Sequence, residues 1–170
     1  MKKLVFITCL FSVIFLLTTS NAEAQNFQEN DLVINTGVGL GTTYSWTGSL
    51  GIPLGASLEY GITNLDVGSI GVGGDVGFVS GGGLTIFYLG SRGSYHFNEM
   101  LNIENEKLDI YGGLGVYYRN FSYSGSGTFS NGIIGSFHVG GRYYFSDNIG
   151  AYGELGNSWG WLNIGVAVKL

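Results

Sequence analysis

The stretch VGGRYYFSDNIGAYGELG, residues 139–156, decides the fold. Taken every second residue, it separates into two sets. One is Val139, Gly141, Tyr143, Phe145, then Ile149, Ala151, Gly153 and Leu155; the other is Gly140, Arg142, Tyr144, then Gly150, Tyr152 and Glu154. A strand sends alternate side chains to opposite faces. Between the two runs lies Ser146-Asp147-Asn148, turn chemistry, because Asp and Asn side chains bond their own backbone. The stretch therefore reads as a β-hairpin with one apolar face and one face of glycine, tyrosine and charge. A soluble barrel or sandwich hides its apolar face in a core, whereas a membrane barrel shows it to lipid.

The alternation continues along the chain. Segments 32–41, 53–61, 68–79, 84–97, 108–120, 133–145, 149–156 and 161–170 make eight predicted strands, with no helix-period stretch between them. The single proline, Pro53, opens a strand, where a missing N–H is tolerated. No charged residue falls on the apolar face within any strand. The opposite face takes Glu59, Asp75, Arg92, His96, Asp109, Arg119, His138, Arg142, Glu154 and Lys169, with most of the strand glycines. Such charges cannot pack unpaired into a soluble core, and the glycines between them make a poor solvent face. A polar lumen with lipid outside fits both faces.

Further signs point the same way. An even strand number lets the sheet close without an edge. With the N-terminus on the periplasmic side, Tyr60, Tyr95, Phe97, Tyr143 and Phe145 gather at the periplasmic ends of their strands as an aromatic girdle. Phe78, Phe87, Tyr118 and Phe137 form a looser girdle at the other end. The outer loops are expected at 42–52, 80–83, 121–132 and 157–160, and the inner turns at 62–67, 98–107 and 146–148.

Charged residues make up 11 % of the chain, against about 25 % in ordinary soluble domains. The net charge of −5 argues against nucleic acid as a partner. Gly is abundant, at 31 residues, but it alternates with large apolar residues as no flexible linker does. The chain opens Met1-Lys2-Lys3, runs apolar over 4–17 and reaches Ala22-Glu23-Ala24. That is the pattern of a secretory signal peptide over residues 1–24, its apolar run shorter than the about 20 residues of a transmembrane helix. The barrel domain is then 25–170. The only cysteine, Cys9, lies in the signal, so cysteine-based metal sites and catalysis are excluded from the mature chain.

The runs YLGSRGSYHF (88–97), LDIYGGLGVYYR (108–119), GGRYYFSDNIGAYGELG (140–156) and LNIGVAVKL (162–170) carry a resemblance. Together with the signal peptide, they make the chain similar to the small outer membrane β-barrel family, the group that includes the OmpA transmembrane domain and OmpX-type, porin-like barrels. The resemblance implies an eight-stranded, antiparallel, up-and-down transmembrane barrel in a bacterial outer membrane. It also implies export, insertion by the outer membrane assembly machinery, contact with outer membrane lipid and a monomeric state. Such barrels often end in an aromatic residue, and this chain ends in Leu170.

Pairing Phe145 with Ile149 sets Arg142 opposite Tyr152 and diagonal to Glu154, within reach of long side chains. These two, with Glu59, Asp75, Arg92, Asp109 and Arg119, are expected to form a lumen charge network that compensates buried charge. The alternative is a gate or proton path. An eight-stranded interior is just wide enough for side chains to fill, which argues against a wide pore. His96 and His138 face inward at different heights, and a metal site would need further ligands nearby. Ser94 with His96, and Ser136 with His138, carry no mark of a nucleophile and its base. The glycine runs 37–41 and 71–77 lack phosphate-loop spacing and a following helix. No catalytic, cofactor-binding or metal residue is assigned, and no enzyme activity is expected. The function expected is structural or surface-interacting, with a polar, side-chain-filled lumen. A porin-like narrow conduit for ions or very small solutes is the alternative, and an outer membrane lipid-modifying enzyme a minor one.

Overall fold

A computed structural model describes residues 26–42, 50–125 and 129–170. The signal peptide expected at 1–24 lies outside these residues, as do parts of the first and third outer loops. Eight strands follow in order: β1 (Leu32–Leu40), β2 (Leu54–Leu65), β3 (Gly68–Gly81), β4 (Leu84–His96), β5 (Leu108–Tyr123), β6 (Gly132–Tyr144), β7 (Ile149–Gly156) and β8 (Leu162–Lys169). Each pairs antiparallel with the next, and β1 pairs with β8, so the sheet is a closed barrel. Among the described residues there is no helix.

The two faces separate as the alternation requires. On the outside, Leu114 is 72 % and Ile133 74 % exposed, whereas Arg142 inside is 0 % exposed. This inverts a soluble protein. Water-soluble monomers rarely expose contiguous apolar patches beyond a few hundred Å², and here every strand turns large apolar side chains outward. The girdle residues lie together at the end that carries Leu32 and Lys169, the terminal end. There Tyr95 packs edge-on to Phe97 at 5.0 Å and Tyr143 to Phe145 at 5.9 Å. The Tyr95 hydroxyl donates to the Val67 carbonyl at 2.8 Å, placing a polar tip at the rim of the apolar belt, as interfacial tyrosines do.

The connections differ from expectation at both ends of the barrel. The turn expected at 62–67 is mostly strand: β2 continues to Leu65, with a bulge at Ile62 between the Gly61 and Thr63 pairings. An extra residue there spoils strict alternation, so the periodicity ends before the strand does. At the far end β5 runs on to Tyr123, and β3 rises two residues further than expected, to Gly81, joining β4 at the expected Leu84 through Gly82 and Gly83, at φ 56° and 78°. Two consecutive left-handed residues make the tight primed turn of a β-hairpin. The long turn 98–107 is ordered by Asn98, whose Oδ1 accepts from the Ile110 amide at 2.8 Å and whose Nδ2 donates to the Leu108 carbonyl.

Candidate functional site: a lumen filled in three tiers

Small barrels bend sharply, and their inner surface is crowded. A Cβ on inward Gly165 would lie 2.1 Å from the Thr36 carbonyl oxygen, and one on its partner Gly37 2.0 Å from that of Ile164. Where glycine keeps the wall thin, large polar side chains fill the axis.

The tier nearest the termini centres on Arg142 of β6. Its guanidinium donates to Glu59 of β2, to Asp109 of β5 at 2.7 Å and to the Asn35 Oδ1 of β1 at 3.1 Å. It also lies 4.3 Å from the Tyr111 ring centroid, a cation–π contact. His96 bridges the same carboxylates, with Nδ1 2.7 Å from Asp109 and Nε2 3.6 Å from Glu59. One forked cation therefore ties three other strands together, a task suited to the planar guanidinium. Beneath it the segment before β1 turns into the barrel. Phe27, 2 % exposed, stacks on His96 at 3.8 Å and 11°. Its carbonyl accepts from the Ser69 hydroxyl at 2.9 Å. Asn30 and Asp31 pair with Gly61, and Lys169 of β8 holds Asp31 at 2.7 Å. The terminal mouth is closed by the chain's own leading segment.

The middle tier is built on Arg92 of β4, bonded to Glu154 of β7 at 2.6 Å and to Asp75 of β3 at 3.3 Å. Tyr111 donates to Glu154 at 3.1 Å and Tyr117 to Asp75 at 2.6 Å. Alongside, the Ser94 hydroxyl meets His138 Nε2 at 3.0 Å. The far tier is apolar: Val79, Leu84, Ile86, Tyr88 and Tyr117 pack round Trp159, which enters from the β7–β8 connection and is 3 % exposed.

The candidate residues are thus all inward, but their partners differ from those the sequence suggests. Arg142 does face Tyr152 across β6–β7. It does not pair with the diagonal Glu154, which Arg92 takes instead. In a barrel this narrow, side chains converge on the axis, so a strand across the lumen lies as close as a diagonal neighbour. Arg119 sits one tier outward, opposite Tyr88 and Gly132 and half-buried, with its guanidinium 5.7 Å from the Phe121 ring. Ser94 meets His138, not His96, because Gly113 stands between them on β5; a Cβ there would lie 2.8 Å from His138 Nε2. This Ser–His contact lies in the interior, between the Phe27 and Trp159 closures. Among the described residues, no group of three His, Cys, Asp or Glu is placed to hold a metal. Phe27 and Trp159 were not legible as lumen residues. Phe27 is a single large apolar side chain in a polar segment, and Trp159 stands with Trp161 in a connection of Asn, Ser and Gly, the one signal either offers.

No protein-family model matches the chain, and no curated protein matches its sequence. Solved structures do match. The N-terminal β-barrel domain of Pseudomonas aeruginosa OprF aligns with a TM-score of 0.57 at 17 % identity, over 85 % of this chain and 100 % of that one. The fold is that of a small outer membrane β-barrel. The outer membrane protein OprG of P. aeruginosa aligns over 87 % of this chain and 99 % of its own, with a TM-score of 0.54 at 14 % identity. A de novo designed transmembrane β-barrel aligns over 85 % of this chain and 98 % of its own, with a TM-score of 0.54 at 18 % identity. That a designed chain aligns as well as natural ones separates this fold from any one function.

Proposed function

We propose that this chain is an outer membrane protein whose barrel is a closed anchor and whose role is exerted at its exposed ends, not by conduction or catalysis. The observation that carries the reading is Arg142, held by Glu59, Asp109 and Asn35 across the axis with Phe27 stacked beneath. The charge network of Glu59, Asp75, Arg92, Asp109, Arg142 and Glu154 then braces the wall and satisfies charges that lipid would never accept outside. In this reading residues 1–24 direct export, the outer membrane assembly machinery inserts the barrel, and its apolar belt meets lipid. The closed sheet offers no edge for strand pairing between copies, in keeping with a monomer. Planar-bilayer recording of the purified protein is the test. A silent membrane is expected, and reproducible unitary current steps would replace this reading with the narrow-conduit one.

A further inference from the structure

The two ends of the barrel differ in charge. Exposed ionisable residues gather at the terminal end: Glu29, Asp66, Glu99, Glu104, Glu106, Lys107 and Asp147. The far-end connections, 41–53, 82–83, 124–131 and 157–161, contain no Asp, Glu, Lys, Arg or His, and they hold all three tryptophans of the chain. Ser, Thr, Asn and Gly make up most of the rest.

Their geometry follows from the unequal strands. The β4–β5 ladder climbs to Leu84 opposite Tyr123, whereas β1–β2 pairing stops at Val38 opposite Leu54. One side of the mouth is therefore a raised wall. Tyr123 and Phe121 share the inward phase of Leu84 and Ile86, so the wall turns an aromatic face over the lumen. Phe129 stacks on Phe121 at 5.5 Å and 15°, and Tyr123 packs edge-on to Phe129 at 5.3 Å. Tyr123 remains 40 % exposed. Across the barrel, beside the end of β1, Trp161 is 45 % exposed. Exposed Ser124, Ser130 and Asn131 border the wall.

We infer that this mouth is a docking surface for a neutral glycan chain arriving from outside the membrane. The inference rests on the proposed outer membrane placement, which sets the far end outward. A charged partner would be met by complementary charge; the connections hold none, and the nearest cation, Arg119, is half-buried below the wall with its guanidinium 5.7 Å from the Phe121 ring. An apolar partner would not suit a rim of hydroxyl and amide groups. A sugar ring suits both parts: its C–H face carries slight positive charge that settles on the negative face of an aromatic ring, while its hydroxyls take Ser, Asn and backbone partners. Rigid aromatics among small hydroxyl residues are also how adaptable binding loops obtain contact area at low entropic cost. Because the wall faces the lumen and not the surrounding leaflet, the chain descends on the mouth from solution instead of reaching sideways from neighbouring lipid.

The test uses the full mature barrel in nanodiscs, with tryptophan fluorescence as readout, since Trp159 and Trp161 lie at this end. The probes are a panel of neutral hexose oligosaccharides (gluco-, manno- and galacto-series), with alginate oligosaccharide as the anionic control. A saturable change with at least one neutral probe, insensitive to salt, is expected. Tyr123→Ala and Trp161→Ala each weaken it by about tenfold, the loss of one stacking contact, while Tyr123→Phe keeps the ring and the affinity. Heat-modifiable migration on gels establishes that each variant is a folded barrel. Glycolipid added to the nanodisc leaves the titration unchanged. No saturable response to any neutral probe, a response confined to alginate and abolished by salt, competition by the glycolipid, or equal affinity in Tyr123→Ala and Trp161→Ala would each overturn the inference. Channel recording of the same preparation reports on the closed-anchor reading independently.

Discussion

Removing Arg142 is the most searching perturbation of the lumen. Arg142→Met keeps similar bulk and removes the guanidinium donors from Glu59, Asp109 and Asn35. Breaking a buried pair by deleting one partner costs about 3–5 kcal/mol, because the remaining charge is left uncompensated. The two carboxylates are not stranded equally. Asp109 keeps His96 Nδ1 at 2.7 Å, whereas Glu59 keeps only the longer 3.6 Å approach of Nε2. Most of the loss therefore resides on Glu59. Adding Glu59→Gln to Arg142→Met should recover about 1–3 kcal/mol, the desolvation penalty of one unpaired buried group, and adding Asp109→Asn should recover less. Arg142→Lys falls between, since a single ammonium cannot fork to three acceptors. Reversible urea unfolding in lipid vesicles, followed by heat-modifiable migration, gives each ΔΔG and closes the double-mutant cycle. Additive effects of Arg142→Met and Glu59→Gln, or a cost below about 1 kcal/mol for Arg142→Met, would refute the bracing role, because exposed or water-filled pairs behave that way.

The lipid-facing belt makes its own demands: Arg at outward Val72 or Val116 should cost about 2–4 kcal/mol if those positions face mid-bilayer, read by the same unfolding assay. Phe27→Ala should release the leading segment without unfolding the barrel; hydrogen exchange at the Asn30 amide, bonded to the Gly61 carbonyl at 2.9 Å, should accelerate while that of β4 and β5 does not. Trp159→Ala should cost about 3–5 kcal/mol as a cavity-forming core truncation and still give no unitary conductance, because the Arg92 and Arg142 tiers remain.

How much of this was legible depends on whether the determining interaction is local. Strand phase is local: each residue's face follows from its neighbours two positions away, so the inward set from Glu59 to Lys169 could be read before any partner was known. Strand ends are less so. The bulge at Ile62 hides the last residues of β2. At the far end the interior is no longer polar, because Val79, Leu84 and Ile86 pack there as an ordinary core. Pairing across the axis is not local at all. Glu59 and Arg142 stand 83 positions apart, and nothing near either in the chain marks the other. Phe27 and Trp159 fail for a related reason. A single residue entering a lumen has no period, and only its being large and apolar in a polar segment sets it apart.

The glycines hold the information that those two residues lack. Several of the large groups in the lumen rest on positions where a side chain would collide with them. A Cβ on Gly55 or Gly77 would come within 2.4 and 2.3 Å of Trp159. One on Gly71 would meet Glu59 at 2.9 Å and Phe27 at 3.1 Å, and one on Gly90 would meet Tyr117 at 2.5 Å. Gly37 and Gly165 are required by the close approach of neighbouring strand backbone, whereas these glycines are the imprint of the groups they abut. This has a consequence that distinguishes it from a general preference for glycine in bent strands. Gly55→Ala should destabilise the wild-type barrel by about 1–3 kcal/mol through overpacking, because the added Cβ would lie 2.4 Å from Cε2 and 2.6 Å from Cδ2 of the buried Trp159 ring. In the Trp159→Ala background the neighbouring ring is gone and the added methyl fills part of the cavity, so the same substitution should become neutral or stabilising. Urea unfolding of the four proteins measures this change of sign. If Gly55→Ala were equally costly in both backgrounds, glycine would be required there by the strand itself, and the imprint argument would fail.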